Sequence, residues 1–120
     1  MFKEIMEQPE AIRKTISPRL KNGKIVLDDV SLSKEDLEKI SKIVVLACGS
    51  AYHVGMNAKY ILEKIARIPV EVDLASEFRY RDPIIDESVL VLVISQSGET
   101  ADTLAALREA KRLARGLFRL

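Results

Sequence analysis

The feature that most constrains the fold is a continuous apolar segment, Val89–Ile94, which runs directly into a polar segment at residues 95–100. An unbroken aliphatic and β-branched run of this length is typical of a strand buried on both faces of a sheet. After the polar segment, apolar residues recur at helical spacing at Leu104, Leu107 and Ala110. The pattern therefore predicts a buried strand, a tight polar loop and the start of a helix.

The polar loop is a candidate anion site. A loop that opens a helix directs free backbone N–H groups and the positive end of the helix dipole at one point. Gly98 would allow a ligand to approach the backbone closely. Four side chains add hydrogen-bonding groups, namely those of Ser95, Gln96, Ser97 and Thr100.

Helix capping is the alternative interpretation of the same residues. Serine is a common N-cap, and Glu99 and Asp102 would complement the helix dipole without any ligand. Four hydrogen-bonding side chains exceed the need of one cap, which favours a site, but the residues alone leave both interpretations open.

The strand–loop–helix pattern occurs a second time, earlier in the chain. Residues 43–47 (Ile-Val-Val-Leu-Ala) form an apolar run that leads into Gly49 and Ser50 and then a helical segment. Two such units predict a parallel sheet with crossover helices. Residues 70–74 alternate between apolar and acidic side chains, which indicates a half-exposed strand nearer an edge. On the helix, the predicted buried face consists of Val54, Ala58, Ile61, Leu62 and Ile65.

Both polar loops follow a strand, and ligands of open α/β sheets bind at the carboxyl ends of the strands. The sequence has neither a G-x-G-x-x-G nor a G-x-x-x-x-G-K-[ST] motif, which disfavours a dinucleotide or a nucleoside triphosphate. Neither loop contains Lys or Arg. Hydroxyl and N–H groups would hold the anion, and this suits a sugar monophosphate.

Residues 1–40 are predicted to be a helical lead-in, and residues 41–120 the main domain. Pro9 predicts a break near Gln8 in an N-terminal helix. Ser33 and Asp36 have the spacing of a capping box for a short helix through Lys39. Turn signals occur at Ser17-Pro18 and Asn22-Gly23. At the other end of the chain, a basic and solvated helix end is predicted from Lys111, Arg112, Arg115 and Arg119.

Composition excludes several classes of function. The 120 residues carry a formal net charge of +1, which argues against non-specific nucleic-acid binding. We expect neither a signal peptide nor a membrane span. Because a single Cys cannot form an internal disulfide, we expect a cytoplasmic protein. We expect Cys48 to be a small buried residue. His53 lacks ligand partners at metal-site spacing, so we expect no metal.

Three segments resemble one family. Residues 95–103 (Ser-Gln-Ser-Gly-Glu-Thr-Ala-Asp-Thr) resemble the sugar-phosphate loop of the sugar isomerase (SIS) superfamily, and more narrowly that of the glutamine–fructose-6-phosphate aminotransferases. Residues 48–52 are similar to the family's Cys-Gly-Thr-Ser-Tyr, with Ala51 where many members have Ser. Residues 75–81 resemble a segment that distinguishes the aminotransferases, although alone they indicate a solvated loop with two aromatic anchors.

The resemblance implies an α/β fold of the SIS type, a flavodoxin-like three-layer arrangement with a parallel sheet flanked by helices, here incomplete. It implies the conversion of fructose 6-phosphate and glutamine to glucosamine 6-phosphate, in hexosamine biosynthesis and without a cofactor. The sugar-phosphate contacts that it implies are Gly49, Ser50, Ala51, Ser95, Gln96, Ser97 and Thr100, with Ala51 contributing only its backbone.

The resemblance covers residues 2–114 and corresponds to the first part of the isomerase region. The family's glutaminase half and its catalytic Glu, His and Lys have no counterpart here, so we assign no catalytic residue and expect the chain alone to be inactive. An incomplete sheet leaves an edge to be paired, and we expect a homodimer or another homo-oligomer. The alternatives are a non-catalytic phosphosugar-sensing module and a truncated product without a function of its own.

Overall fold

The computed structural model describes residues 1–114, which form two compact units, Met1–Ser31 and the part of the chain from Leu32 onward. The first unit contains helix α1 (Phe2–Ile16), a 3₁₀ turn (Ser17–Arg19) and an antiparallel hairpin of strands β1 (Leu20–Lys21) and β2 (Lys24–Ile25). Residues 22 and 23, Asn and Gly, both have positive φ, as the tight turn of a two-residue hairpin requires. The predicted turn is therefore confirmed.

The predicted break near Gln8 is wrong, because α1 continues through Pro9. A proline inside a helix removes one backbone hydrogen bond and kinks the helix, but it does not always end it. On this exposed helix, ion pairs on either side of the proline, Lys3–Glu7 and Lys14–Glu10, favour continuation.

The second unit is built on a parallel sheet of three strands within the described residues. Strands β3 (Lys42–Ala47), β4 (Val70–Leu74) and β5 (Val89–Ile94) lie in the order β4-β3-β5. The predicted α/β class with a parallel sheet and the edge position of β4 are confirmed. Helix α2 (Lys34–Lys39) precedes the sheet, and the predicted capping box between Ser33 and Asp36 is present.

Burial differs between the two apolar strands. All of β3 from Ile43 to Ala47 is buried, since it has a neighbour on each side. In β5 only Val89 and Val91 are fully buried, and the other residues are half-buried. The prediction of complete burial on both faces is therefore wrong for β5, because β3 is its one partner in the described part of the sheet.

Helices α4 (Ala75–Phe78) and α5 (Ala101–Leu113) cover one face of the sheet. Small side chains at Ala106 and Ala110 let α5 lie close to the strands. The segment at residues 75–81 is only partly a solvated loop, because it forms α4 and places Phe78 in the core. The buried cluster on this face consists of Val44, Leu46, Ala75, Phe78, Val89, Val91, Ala106 and Ala110.

Helix α3 (Ser50–Ala66) covers the opposite face and contacts it through Gly55. A Cβ atom at Gly55 would lie 3.1 Å from Cγ1 of both Val45 and Val72, so the helix and the sheet are in close contact here. The predicted apolar face is consequently wrong in part. Ala58 and Leu62 are half-buried, whereas Val54, Ile61 and Ile65 are 56%, 59% and 76% exposed.

The C-terminal end of α5 agrees in part with the predicted basic face. Lys111 and Arg112 are exposed, and Arg112 is paired with Glu109 at 2.7 Å. Arg115 and Arg119 lie outside the described residues. Across residues 1–114, none of the helices has both the length and the apolar character that a membrane crossing demands.

Candidate functional site

The two polar loops leave the same edge of the sheet. Ala47 at the end of β3 is in register with Ile94 at the end of β5. Helix α3 begins at Ser50 after one loop, and α5 begins at Ala101 after the other. The predicted convergence of the two loops is therefore present, and two helix N-termini lie at this edge.

A pocket of about 110 Å³ lies between the loops. It has room for a group several times larger than a water molecule, whose share of liquid volume is about 30 Å³. Six of the seven predicted contact residues line this pocket. The exception is Gly49, which is the N-cap residue of α3 and has a φ angle of 58°. The full lining consists of Cys48, Ser50, Ala51, Ile94, Ser95, Gln96, Ser97, Thr100 and Thr103.

Hydroxyl groups of the β5–α5 loop are held by backbone donors. The N–H of Gly98 donates to Ser95 Oγ at 2.9 Å, and the N–H of Glu99 donates to Ser97 Oγ at 3.2 Å. A serine oxygen that accepts such a bond still has its own proton to donate. The two serines can therefore present O–H donors to a group in the pocket.

Both helices at the pocket begin without a side-chain cap. Thr100 is the N-cap residue of α5, and its side chain accepts no capping hydrogen bond; Gly49, the N-cap residue of α3, has no side chain to do so. The first N–H groups of a helix need an external partner, and an anion is suited to that role. Capping thus explains the bonds of Ser95 and Ser97 within the loop but not the donors at the two helix starts.

The pocket lining is polar but carries no Lys, Arg, His, Asp or Glu among the described residues. Its electrostatic attraction for an anion comes from helix dipoles and neutral donors. Glu99, which could have repelled an anion, is exposed and does not line the pocket.

Charged groups near the pocket are engaged with one another. Arg79 at the end of α4 lies 3.7 Å from Asp102 in the first turn of α5 and connects the two helices. The Arg79 guanidinium also lies 4.6 Å from the centre of the Tyr80 ring. The Arg79–Asp102 pair thus links the end of α4 to the start of α5, where Thr100 and Thr103 line the pocket.

A second ionic group lies on β4. Arg81 pairs with both Glu71 and Asp73, and Lys42 of β3 pairs with Glu71. The Lys42 ammonium, and after it the Arg81 guanidinium, hold the pKa of Glu71 below its usual value. This group holds Arg81, after α4, against strand β4, and none of its residues lines the pocket.

Sequence reasoning missed three lining residues, Cys48, Ile94 and Thr103. Cys48 was expected to be buried and inert, and it is half-buried at the end of β3. Thr103 lies one helical turn after Thr100, so the helical period would have placed both on the same face. Nothing in the sequence marks the hydroxyl of Thr103 as different from that of any other helical threonine.

His53 is exposed, with its ring 5.9 Å from that of Tyr52 in an edge-on arrangement. Within residues 1–114, no three His, Cys, Asp or Glu side chains are grouped so that they could hold a metal ion.

Comparison with known proteins agrees with the geometry of the two loops. The family model of the SIS domain matches residues 36–115. This chain belongs to the SIS domain family. The matched residues include β3, α3, β4, β5, α5 and therefore the whole pocket lining.

Relatives of this SIS domain include isomerizing glutamine–fructose-6-phosphate aminotransferases. That of Caldanaerobacter subterraneus subsp. tengcongensis is 64% identical over 113 residues, which is 93% of this chain and 19% of the relative. That of Mycobacterium tuberculosis is 59% identical over 111 residues, 92% of this chain and 18% of the relative. The chain thus spans less than a fifth of the length of these curated relatives.

A solved structure is also similar to this SIS domain. It is the C-terminal domain of the glucosamine-fructose-6-phosphate aminotransferase from Francisella tularensis, with a TM-score of 0.83 and 52% identity. The match covers 93% of this chain and 31% of that structure.

Proposed function

We propose that the pocket binds the phosphate group of a sugar phosphate, fructose 6-phosphate or glucosamine 6-phosphate. The observation that carries this proposal is one pocket that combines two uncapped helix N-termini with the hydroxyls of Ser50, Ser95, Ser97 and Thr100. A dianionic phosphate monoester would accept hydrogen bonds from these donors, and charge-assisted bonds of this kind are among the strongest that neutral side chains make.

In this proposal the chain supplies the phosphate-binding part of an isomerizing glutamine–fructose-6-phosphate aminotransferase, acting in the cytoplasm. The names of the relatives support the reaction, and the pocket supports the role within it. Holding the phosphate would fix the sugar so that groups outside the described pocket could act on its carbonyl end. Binding energy from a non-reacting group of the substrate is a common source of such positioning.

A phosphosugar-sensing module remains the second candidate. It is favoured by one observation, the lack of any amine, imidazole or carboxylate in the described pocket lining. Both candidates require the same phosphate contacts, so binding alone does not separate them.

The double substitution Ser97→Ala and Thr100→Ala tests phosphate binding. We expect it to weaken the binding of fructose 6-phosphate by roughly 1–3 kcal/mol, because two hydroxyl donors to a charged oxygen are removed. Isothermal titration calorimetry measures the change directly.

The matched control is Ser41→Ala with Ser88→Ala. These two hydroxyls hydrogen-bond each other at 2.8 Å. They lie beside the starts of β3 and β5, whereas the pocket lies where these strands end. The control should bind like the wild-type protein. Unchanged binding by the Ser97/Thr100 variant would return the loop to a purely capping role.

We also propose that the chain forms a homo-oligomer. On α3, Val54, Ile61 and Ile65 form an exposed apolar stripe, and β4 and β5 each have one unpaired edge in the described sheet. Light scattering should show an assembly larger than a monomer at high micromolar concentration, which Ile61→Glu with Ile65→Glu should shift toward monomer. The control Lys64→Glu adds a charge on an exposed position of the same helix. A wild-type protein that stays monomeric would refute the proposal.

A further inference from the structure

Thr103 is almost completely buried, and its hydroxyl has no hydrogen-bond partner among residues 1–114. Thr103 is only 4% exposed, and its side chain makes no hydrogen bond among residues 1–114. A buried hydroxyl without a partner destabilises a fold, so such groups are uncommon in native proteins. The folded chain therefore leaves one hydrogen-bonding group unused at this position.

Threonine in a helix usually solves this problem within its own helix. Its hydroxyl donates to the carbonyl one turn earlier. Thr15 of α1 does so, with Oγ1 at 2.8 Å from the carbonyl oxygen of Ala11. Thr103 makes no such bond in the described structure, although it lies three residues after the N-cap Thr100.

Thr103 lines the pocket, and its hydroxyl is not completely buried. In the described part of the chain, every side-chain nitrogen or oxygen that is completely buried has a hydrogen-bond partner. Because Thr103 Oγ1 has none, it keeps some accessible surface, and Thr103 is one of the residues that line the cavity. Ser50, Ser97 and Thr100 line the same cavity.

We propose that Thr103 is a further ligand-binding residue of the pocket, whose hydroxyl donates a hydrogen bond to the bound phosphoryl group. This inference rests on the proposed sugar-phosphate binding and adds one contact to it. The neutral lining gives Thr103 particular weight, because no cation is present in the described lining to compete for the phosphoryl oxygens. Its burial also fixes the hydroxyl in place before the ligand arrives.

The substitution Thr103→Val separates a binding role from a structural one. Valine has the same shape and lacks the hydroxyl. We expect affinity for fructose 6-phosphate and for inorganic phosphate to fall by the same factor, about tenfold, as for the loss of one charge-assisted bond. The melting temperature of the ligand-free protein should be unchanged or higher, because a hydroxyl without a hydrogen-bond partner is removed from a largely buried residue.

Thr103→Ser restores the hydroxyl and should bind near the wild-type level, whereas Thr103→Ala should bind as weakly as Thr103→Val. The pair Thr103→Ser and Thr103→Ala decides the question if the valine variant does not fold. Thr15→Val is the matched control, because it removes a threonine hydroxyl that already has an intrahelical acceptor, and it should leave affinity unchanged.

The outcomes are distinguishable. If the wild-type chain binds neither fructose 6-phosphate nor phosphate in calorimetry, the proposed function and this inference both fail. If the wild-type chain binds and Thr103→Val binds equally well, the inference about Thr103 alone is overturned. A lower melting temperature of ligand-free Thr103→Val would show that the hydroxyl has a structural role. A loss of affinity for fructose 6-phosphate but not for inorganic phosphate would place the contact on the sugar. Either result overturns the assignment of Thr103 to the phosphoryl group.

Discussion

Replacing Phe78 with Ala should destabilise the fold by about 3–5 kcal/mol, the usual cost of truncating a fully buried phenylalanine. Phe78 has no exposed surface, and it packs between α5 and the sheet in the same cluster as Leu46 and Ala106. Domains of this size are commonly stable by only about 5–15 kcal/mol. The loss should appear as a large decrease in the denaturant midpoint in a urea titration followed by circular dichroism.

Tyr80→Ala is the control for this substitution, since Tyr80 is aromatic, belongs to the same short segment and is 73% exposed. Its side chain contacts the Arg79 guanidinium, an exposed cation–π pair worth roughly 0.5–1 kcal/mol. A midpoint that falls equally in both variants would contradict the assignment of Phe78 to the core.

Phe78 also shows where sequence reasoning reached its limit. From residues 75–81 alone, a solvated loop with two aromatic anchors was the expectation, and only one of the two aromatics is an anchor. Four residues of helix are too short for a period to be recognised. Which aromatic becomes buried depends on the position of α5, and that contact is long-range in sequence.

The repeated strand–loop–helix pattern, by contrast, was sufficient to predict the parallel sheet. A continuous apolar run requires cover on both faces, and a polar loop followed by a helix provides it. The pattern did not predict how deeply each strand is buried, because burial also depends on how many neighbouring strands a strand has. Val89–Ile94 is as apolar as the central strand, yet it lies beside one described partner and is only half covered.

Helix α3 shows a different limit. Periodicity assigned its buried face to the large aliphatic residues, but the structure places Gly55 against the sheet. A glycine adds nothing to a hydrophobic pattern, although it allows the closest contact between a helix and a sheet. The stripe formed by Val54, Ile61 and Ile65 is therefore exposed, and in the proposed homo-oligomer it would be covered by a second copy of the chain.

The convergence of the two loops could be predicted because it follows from topology. Parallel strands end at the same edge, so the loops after β3 and β5 had to meet. The state of each hydroxyl was not predictable in this way. That Ser95 and Ser97 accept bonds from the loop backbone, and that Thr103 makes none, depends on distances of a few tenths of an ångström.

We expect this chain alone to form no glucosamine 6-phosphate from fructose 6-phosphate. The reaction needs an amine or ammonia to attack the sugar carbonyl and a base placed over the first two carbons. The described pocket lining offers hydroxyls, one amide and one thiol, but no amine, imidazole or carboxylate. Glu99, the acidic residue of the β5–α5 loop, is exposed and does not line the pocket.

The assay incubates the purified chain with fructose 6-phosphate and either glutamine or ammonium, and measures glucosamine 6-phosphate against a reaction without protein. The full-length aminotransferase of Caldanaerobacter subterraneus serves as the positive control. Product that depends on the chain and disappears in Glu99→Gln would show that the catalytic groups lie in the described part after all.

A complementation experiment then separates the two proposed functions. The part of the Caldanaerobacter subterraneus relative that this chain does not match is added in trans, with ammonium as the nitrogen source. Activity that requires both polypeptides, and that falls when Ser97→Ala and Thr100→Ala are introduced, would identify the pocket as the phosphate-binding half of a catalytic site. Continued inactivity, with sugar-phosphate binding intact, would favour a sensing module. The distinction depends on catalytic groups because both functions need the same neutral phosphate pocket, and only the enzyme needs an amine and a base beside it.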